Sequence, residues 1–244
     1  MKVKEIYQFI DEFSPFELQE KWDNSGLILG EFEKDVKQIV VSLDIDENII
    51  KNSSEDALFV VHHPLIFGKL TSLNLTKYPS NLLAKMIKKN QSLIAVHTNF
   101  DKTHLNRYVF EEILGFKIKE YKDFICTSDV NLKFEELLNL LKDRLKVDTF
   151  KVVNKKETIK SIALTSGSGA SLLDFIDTDC FLTGDIKYHD AMKALSEDKM
   201  LIDIGHFDSE QFFVDVMKIL LNSLPISVII AQSKNPFEIF TLKG

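Results

Sequence analysis

Cysteine is almost missing from this chain. Cys126 and Cys180 are the only two, far apart and outside any CxxC, so a zinc–thiolate cluster is excluded and a reducing compartment fits. Positive charge is also scarce. Lys and Arg number 30 against 37 Asp and Glu, a formal charge of −7, which leaves no basic footprint for nucleic acid. No apolar run approaches the roughly 18 residues of a membrane-spanning helix. The opening MKVKEIYQFIDEF has an amphipathic helical pattern, not a basic stretch leading into an apolar signal segment. The expectation is a cytoplasmic protein with neither a membrane nor a nucleic acid as partner. Phosphate-loop signatures are missing as well, since neither GxGxxG nor GxxxxGK occurs. Ser168 stands in a G-S-G, not the G-x-S-x-G of a hydrolase elbow. Any metal must therefore be held by histidines and carboxylates.

What is present is a sizeable apolar fraction, 45% of 244 residues, enough for one large domain or two compact halves. Ile6, Phe9, Ile10 and Phe13 recur at helical spacing before Ser14-Pro15, which predicts an opening helix. Trp22 to Gly30, WDNSGLILG, reads as a loop whose Asp, Asn and Gly suit a turn. Short apolar runs predict buried strands over 38–44, 57–62 and 92–97, with helices at 82–89 and 106–114. The order then repeats: a helix at 132–145 and strands at 161–165, 179–183 and 200–204. QIVVSLDIDENII aligns with SIALTSGSGASLL, DALFVVHH with TDCFLTGD, and SLIAVHTNFD with MLIDIGHFDSE. The fold class is α/β with an internal repeat, divided into a first half, 1–125, and a second, 126–244.

In α/β sheets ligands bind beyond the carboxyl ends of the strands, and the unusual side chains fall there. His62 and His63 are adjacent and precede Pro64. Neighbours on a regular strand point to opposite faces, so a chain bending into the Pro loop is needed to aim both imidazoles into one cavity. A pair of metal ions, each taking one histidine, accommodates such a pair; a solvent-facing pair is the competing account. In HTNFD, Asp101 is the candidate direct ligand and His97 an outer or substrate-facing group, although a simple Asn-Asp turn also explains the stretch. His104 is expected on the surface. In GHFDSE, His206 and Glu210 are four apart at the start of a helix expected over 208–221. Asp208 or Ser209 would cap it, and Phe212, Phe213, Val216, Ile219 and Leu220 would form its buried side. In GDIKYHD, Asp185 and His189 share that spacing. They are either a helix cap and a surface histidine or groups that transfer protons near the cavity.

Taken together, WDNSGL, HHP, HTNFD, GDIKYHD and GHFDSE, spanning residues 22 to 210, resemble the Nif-three-like family, whose bacterial members carry the label "GTP cyclohydrolase 1 type 2 homolog". The resemblance implies two intertwined α/β halves with mixed sheets flanked by helices and a dinuclear metal site between them. Its ligands fall on His62, His63, Asp101, His206 and Glu210. It also implies a toroidal homohexamer, a trimer of dimers. After Asp101 the chain reads DKTHLN where the family carries a glycine before the asparagine, so Asn106 keeps the position while His104 and Leu105 alter that loop. The expected activity is metal-dependent hydrolysis of a nucleotide-like or other small substrate. Two divalent ions (zinc, iron, manganese, cobalt or nickel) would activate water, and His97 or His189 would carry protons. The alternative is a non-catalytic metal-binding ring that engages a protein partner.

Overall fold

Side-chain alternation along the strands decides how this chain is layered. The computed structural model describes residues 1–240. Eleven strands are present among them: β1 (Gly26–Leu29), β2 (Gln38–Ser42), β3 (Leu58–Val61), β4 (Ser92–Ala95), β5 (Glu120–Lys122), β6 (Ile125–Lys133), β7 (Lys151–Val153), β8 (Thr158–Leu164), β9 (Cys180–Thr183), β10 (Met200–Asp203) and β11 (Ser227–Ile230). They form two mixed sheets, ordered β1-β4-β3-β2-β11 and β5-β6-β8-β9-β10-β7.

Ile39, Val41, Leu58, Val60 and Ile94 on one face of the first sheet share a single core with Ile162, Leu164, Cys180, Leu182, Met200 and Ile202 of the second. The helices Val3–Phe13, Phe134–Leu145 and Phe213–Leu221 add to that core, as do Phe100, Leu105, Val109 and Phe110. The intervening positions point the other way, as a period of two requires. Val40, Phe59, Val61, Leu93 and Ala95 pack under the helices Glu47–Asn52 and Ser80–Lys88, and Ala163, Phe181 and Leu201 pack beneath Ala170–Phe175 and Ala194.

The repeat is present in the topology and extends beyond the three strands read from the sequence. β2, β3 and β4 are parallel neighbours, as are β8, β9 and β10. β1 runs antiparallel beside β4 and β7 antiparallel beside β10, so each half contributes four equivalent strands. The halves are intertwined. β11, from the end of the chain, lies parallel to β2 in the first sheet, and β5, before residue 125, pairs with β6 in the second.

Several boundaries differ from expectation. WDNSGLILG is only partly a loop, because its Gly26–Leu29 is edge strand β1. The helix expected from 132 starts at Phe134, since Leu132 and Lys133 still pair with Ile159 and Thr158 at the end of β6. The helix expected over 106–114 belongs to a helical segment running through 98–113, with wide five-residue turns at Asp101–Leu105 and Val109–Ile113; such turns concentrate at functional sites. That register turns His104 inward onto Phe100, with ring centroids 5.0 Å apart, so it is not the surface histidine expected. The helix expected over 208–221 is two, His206–Glu210 and Phe213–Leu221. The second buries Phe213, Val214, Val216, Met217 and Leu221, while Ile219 is exposed. Among the described residues no helix is long and apolar enough to cross a membrane.

Candidate metal centre

β3 ends at Val61, and the next two backbone N–H groups, of His62 and His63, both donate to the Leu43 carbonyl, at 3.2 and 3.1 Å. The chain leaves the strand there. The two imidazoles therefore need not diverge, and their centroids lie 4.9 Å apart. His62 is fully buried, and its Nδ1 lies 3.0 Å from the Val96 carbonyl. A carbonyl oxygen only accepts, so Nδ1 carries the proton and Nε2 presents its lone pair to the cavity. Three more histidines repeat this with carboxylate acceptors. His63 Nδ1 is 2.8 Å from Asp44, His97 Nδ1 is 2.8 Å from Asp23, and His206 Nδ1 is 2.6 Å from Asp185. Metal-ligating histidines are oriented in this way, the outer nitrogen fixed so that the inner one is free.

The inner nitrogens meet at one carboxylate. Glu210 Oε2 is 3.0 Å from His63 Nε2 and 2.9 Å from His206 Nε2, and Glu210 Oε1 is 3.7 Å from His62 Nε2. Asp101 Oδ1, on the first wide helical turn, is 3.4 Å from the same His62 nitrogen. Hydrogen bonding does not account for the His62 and Asp101 side of this convergence. His62 Nε2 and Asp101 Oδ1 are both buried without a hydrogen-bond partner, and an unpaired buried polar atom costs about 1–3 kcal/mol. A cation satisfies both. The donor atoms fall into two groups that share Glu210: His63, His206 and Glu210 in one, and His62, Asp101 and Glu210 in the other, the atoms of each lying within 4.8 Å. A further grouping joins His97 to His62 and His63.

Burial pushes the His62 imidazole down to about 4. It also pushes the Asp101 carboxyl well above the usual carboxylate range, with the Glu210 charge adding to it. Burial acts on Glu210 in the same direction but loses to the surrounding imidazoles, His63 first, which hold this carboxyl well below its ordinary value. His63 and His206 gain correspondingly: against desolvation, Glu210 raises His63 well above its usual value and His206 to about 9. A divalent ion binding here must displace those protons.

The five candidate ligands thus come together from three strand ends, those of β3, β4 and β10, and His97 joins them at the cavity wall. His189 does not. It is exposed on the helix Tyr188–Ser196 against Tyr188, outside the residues that line the cavity. Asp185 does not cap that helix but clamps His206. Neither Asp208 nor Ser209 caps the helix at 206; the Ser209 hydroxyl donates to the Gly205 carbonyl and accepts from the Gly167 N–H.

Three roles were not visible from the sequence. Asp44 and the Val96 carbonyl orient His63 and His62. Gly167, in the SGSG stretch, has φ +63°, and a Cβ there would sit 1.9 Å from Glu210 Oε1. Only glycine leaves room for that carboxylate in that conformation. The cavity around the cluster has a volume of about 910 Å³ and is walled by both halves of the chain.

A family model for Duf34/NIF3 (NGG1p interacting factor 3) matches residues 1–236. A Campylobacter jejuni protein called GTP cyclohydrolase 1 type 2 homolog is 48% identical, covering 98% of this chain and all of that protein. A Helicobacter pylori protein called GTP cyclohydrolase 1 type 2 is 41% identical, covering 97% of this chain and 98% of that one. Among solved structures, a hypothetical protein of Staphylococcus aureus superposes with a TM-score of 0.86 at 24% identity, covering 98% of this chain and 99% of that one. Reduced HcgD from Methanocaldococcus jannaschii superposes with a TM-score of 0.82 at 26% identity, covering 94% and 97%. Fold, motif order and full-length similarity agree: the chain belongs to the Duf34/NIF3 family.

Proposed function

We propose that the chain is a dinuclear metal-dependent hydrolase acting on a small substrate. One observation carries this: Glu210 is shared by two ligand groups, and in one of them His62 Nε2 and Asp101 Oδ1 are buried without a hydrogen-bond partner. His63 and His206 would hold one ion and His62 and Asp101 the other, with Glu210 common to both. Ions bound there would supply Lewis acidity and the means of ionising water near neutral pH. Asp44, Asp185 and the Val96 carbonyl orient the ligands by fixing Nδ1 of their imidazoles. His97, with Nδ1 held on Asp23, is left with Nε2 to accept or return a proton at the cavity. Residues of both halves line the cavity, so a substrate would lie between them. The names of the bacterial relatives favour a nucleotide-like substrate. The same family resemblance supports a ring-shaped homohexamer, and two unpaired buried cysteines suit a reducing cytoplasm.

Metal analysis of gently purified protein tests the ligand assignment: two ions per chain are expected in the wild type and none in Glu210→Ala. A metal-free wild type would overturn it. Turnover by the two-ion form of at least one compound in a panel of nucleotides, phosphoesters and cyclic amides tests the hydrolase assignment. The family's description as an interacting factor favours a second reading, a non-catalytic metal-binding scaffold. That reading expects no turnover and a partner retained only by the metal-loaded form.

A further inference from the structure

The cavity wall carries features that the metal ligands do not explain. Trp22, Phe67, Tyr78 and Phe175 all line it, and they are 57%, 62%, 71% and 73% exposed. Large aromatic side chains left in solvent around one cavity mark a binding surface. The rings continue inward toward the cluster. Trp22 and Phe67 lie 5.8 Å apart, each 6.1 Å from His97, and His97 is 5.5 Å from His63 and 5.1 Å from His62. Phe175 faces the same space from the second half of the chain.

Away from the metal ligands, the side-chain charges on this wall have the wrong sign for a phosphate chain. Outside the ligand cluster and His97, its ionisable groups are Glu20, Glu120 and Asp123 against a single cation, Lys122. Arginine is absent from the lining, although phosphates are ordinarily gripped by arginine forks, lysines or helix N-termini.

We infer that this cavity recognises the base of a nucleotide-like substrate, a flat, uncharged heteroaromatic ring stacked on Trp22, Phe67 and Phe175 and directed by a ring oxygen or nitrogen toward the cluster, with no side-chain grip on a phosphate chain. The inference rests on the metal-centre reading above for its inner anchor and on the exposed aromatics for its outer one. Base–aromatic stacking tolerates different rings, because each presents a π-face.

Trp22 is the chain's only tryptophan, so its fluorescence reports the site directly. Full-length protein, its metal content measured first, is titrated with guanosine, adenosine, uridine, guanosine 5′-monophosphate and inorganic phosphate. At least one nucleoside is expected to quench Trp22 emission saturably, the monophosphate to bind no tighter than guanosine, and phosphate to leave the emission unchanged. By calorimetry, Phe67→Ala and Phe175→Ala are each expected to weaken nucleoside binding at least about tenfold, or about 1.4 kcal/mol, with metal content unchanged. Both side chains are mostly exposed, so folding is not at stake. The inference is overturned if no nucleoside binds the two-ion protein, if the phosphate group tightens binding tenfold, or if both alanine variants bind like the wild type. Loss of metal before any ligand is added indicts the metal-centre reading instead.

Discussion

The ends of β4 and β10 occupy equivalent places in the two halves, and both are followed by a histidine and an acid four residues apart, His97 with Asp101 and His206 with Glu210. In the second half both side chains converge on the cluster. In the first, Asp101 enters the cluster while His97, held by Asp23, stands at its edge, near His62 and His63 and also near Trp22 and Phe67. The local backbones explain the difference. Gly205, at φ +81°, starts a short helix that seats His206 and Glu210 together, whereas Asp101 lies on a wide turn of a longer helical segment. A second likeness is one of device, shifted by one strand in the repeat: Asp44 at the end of β2 orients His63 at the end of β3, and Asp185 after β9, the counterpart of β3, orients His206 after β10. One repeated device, a carboxylate holding a histidine from the next strand, serves both halves. Glu210 has no full counterpart, and Gly167 provides the space it fills.

The largest expected effect comes from breaking that unmatched element. Gly167→Ala would bring a Cβ into Glu210 and force a left-handed φ onto a non-glycine residue. The strain alone costs on the order of 1–3 kcal/mol, and both metal stoichiometry and melting temperature should fall sharply; calorimetry and metal analysis read both. His63→Ala should remove one ion and leave the other, because His62, Asp101 and Glu210 form the second group without it. Retention of two ions would end the ligand assignment.

Asp44→Asn and Asp185→Asn test the repeated device directly. Each should weaken metal affinity by about 10–100-fold without abolishing binding, and by similar factors if the two halves are equivalent. A large loss from only one would show that the resemblance is topological and nothing more. The pH dependence follows from the raised His206, at about 9. Its proton must leave when metal binds, so affinity should rise with pH through neutrality, with proton release visible in titrations run in buffers of different ionisation enthalpy. In metal-free protein the sign is opposite. The attraction of His206 to Glu210 is fully present below the ordinary histidine value of 6.5 and is lost as pH rises through about 9. The smallest effect belongs to His189→Ala, an exposed position, where stability should shift by no more than about 0.5 kcal/mol and metal content should not change.

What could be read from the sequence follows burial. β2, β3, β4, β9 and β10 are buried along nearly their whole length and write continuous apolar runs. β5, β6 and β7 are half-exposed, and their polar positions dilute the pattern, so the end of β6 reads as the start of a helix. The candidate ligands were legible because His62, His63, His97 and His206, four of the chain's six histidines, fall just beyond strand ends. Their supports were not. The Val96 carbonyl has no side-chain signature, and the need for Gly167 arises only when Glu210 arrives from a distant helix. His104 was misjudged because a wide helical turn changes which face a residue presents.

Anomalous diffraction from crystals of metal-loaded protein tests the central claim most directly. Two peaks per chain are predicted, one beside His63 and His206 and the other beside His62 and Asp101, both in contact with Glu210. A single peak, or peaks that leave Glu210 without a metal neighbour, would contradict it.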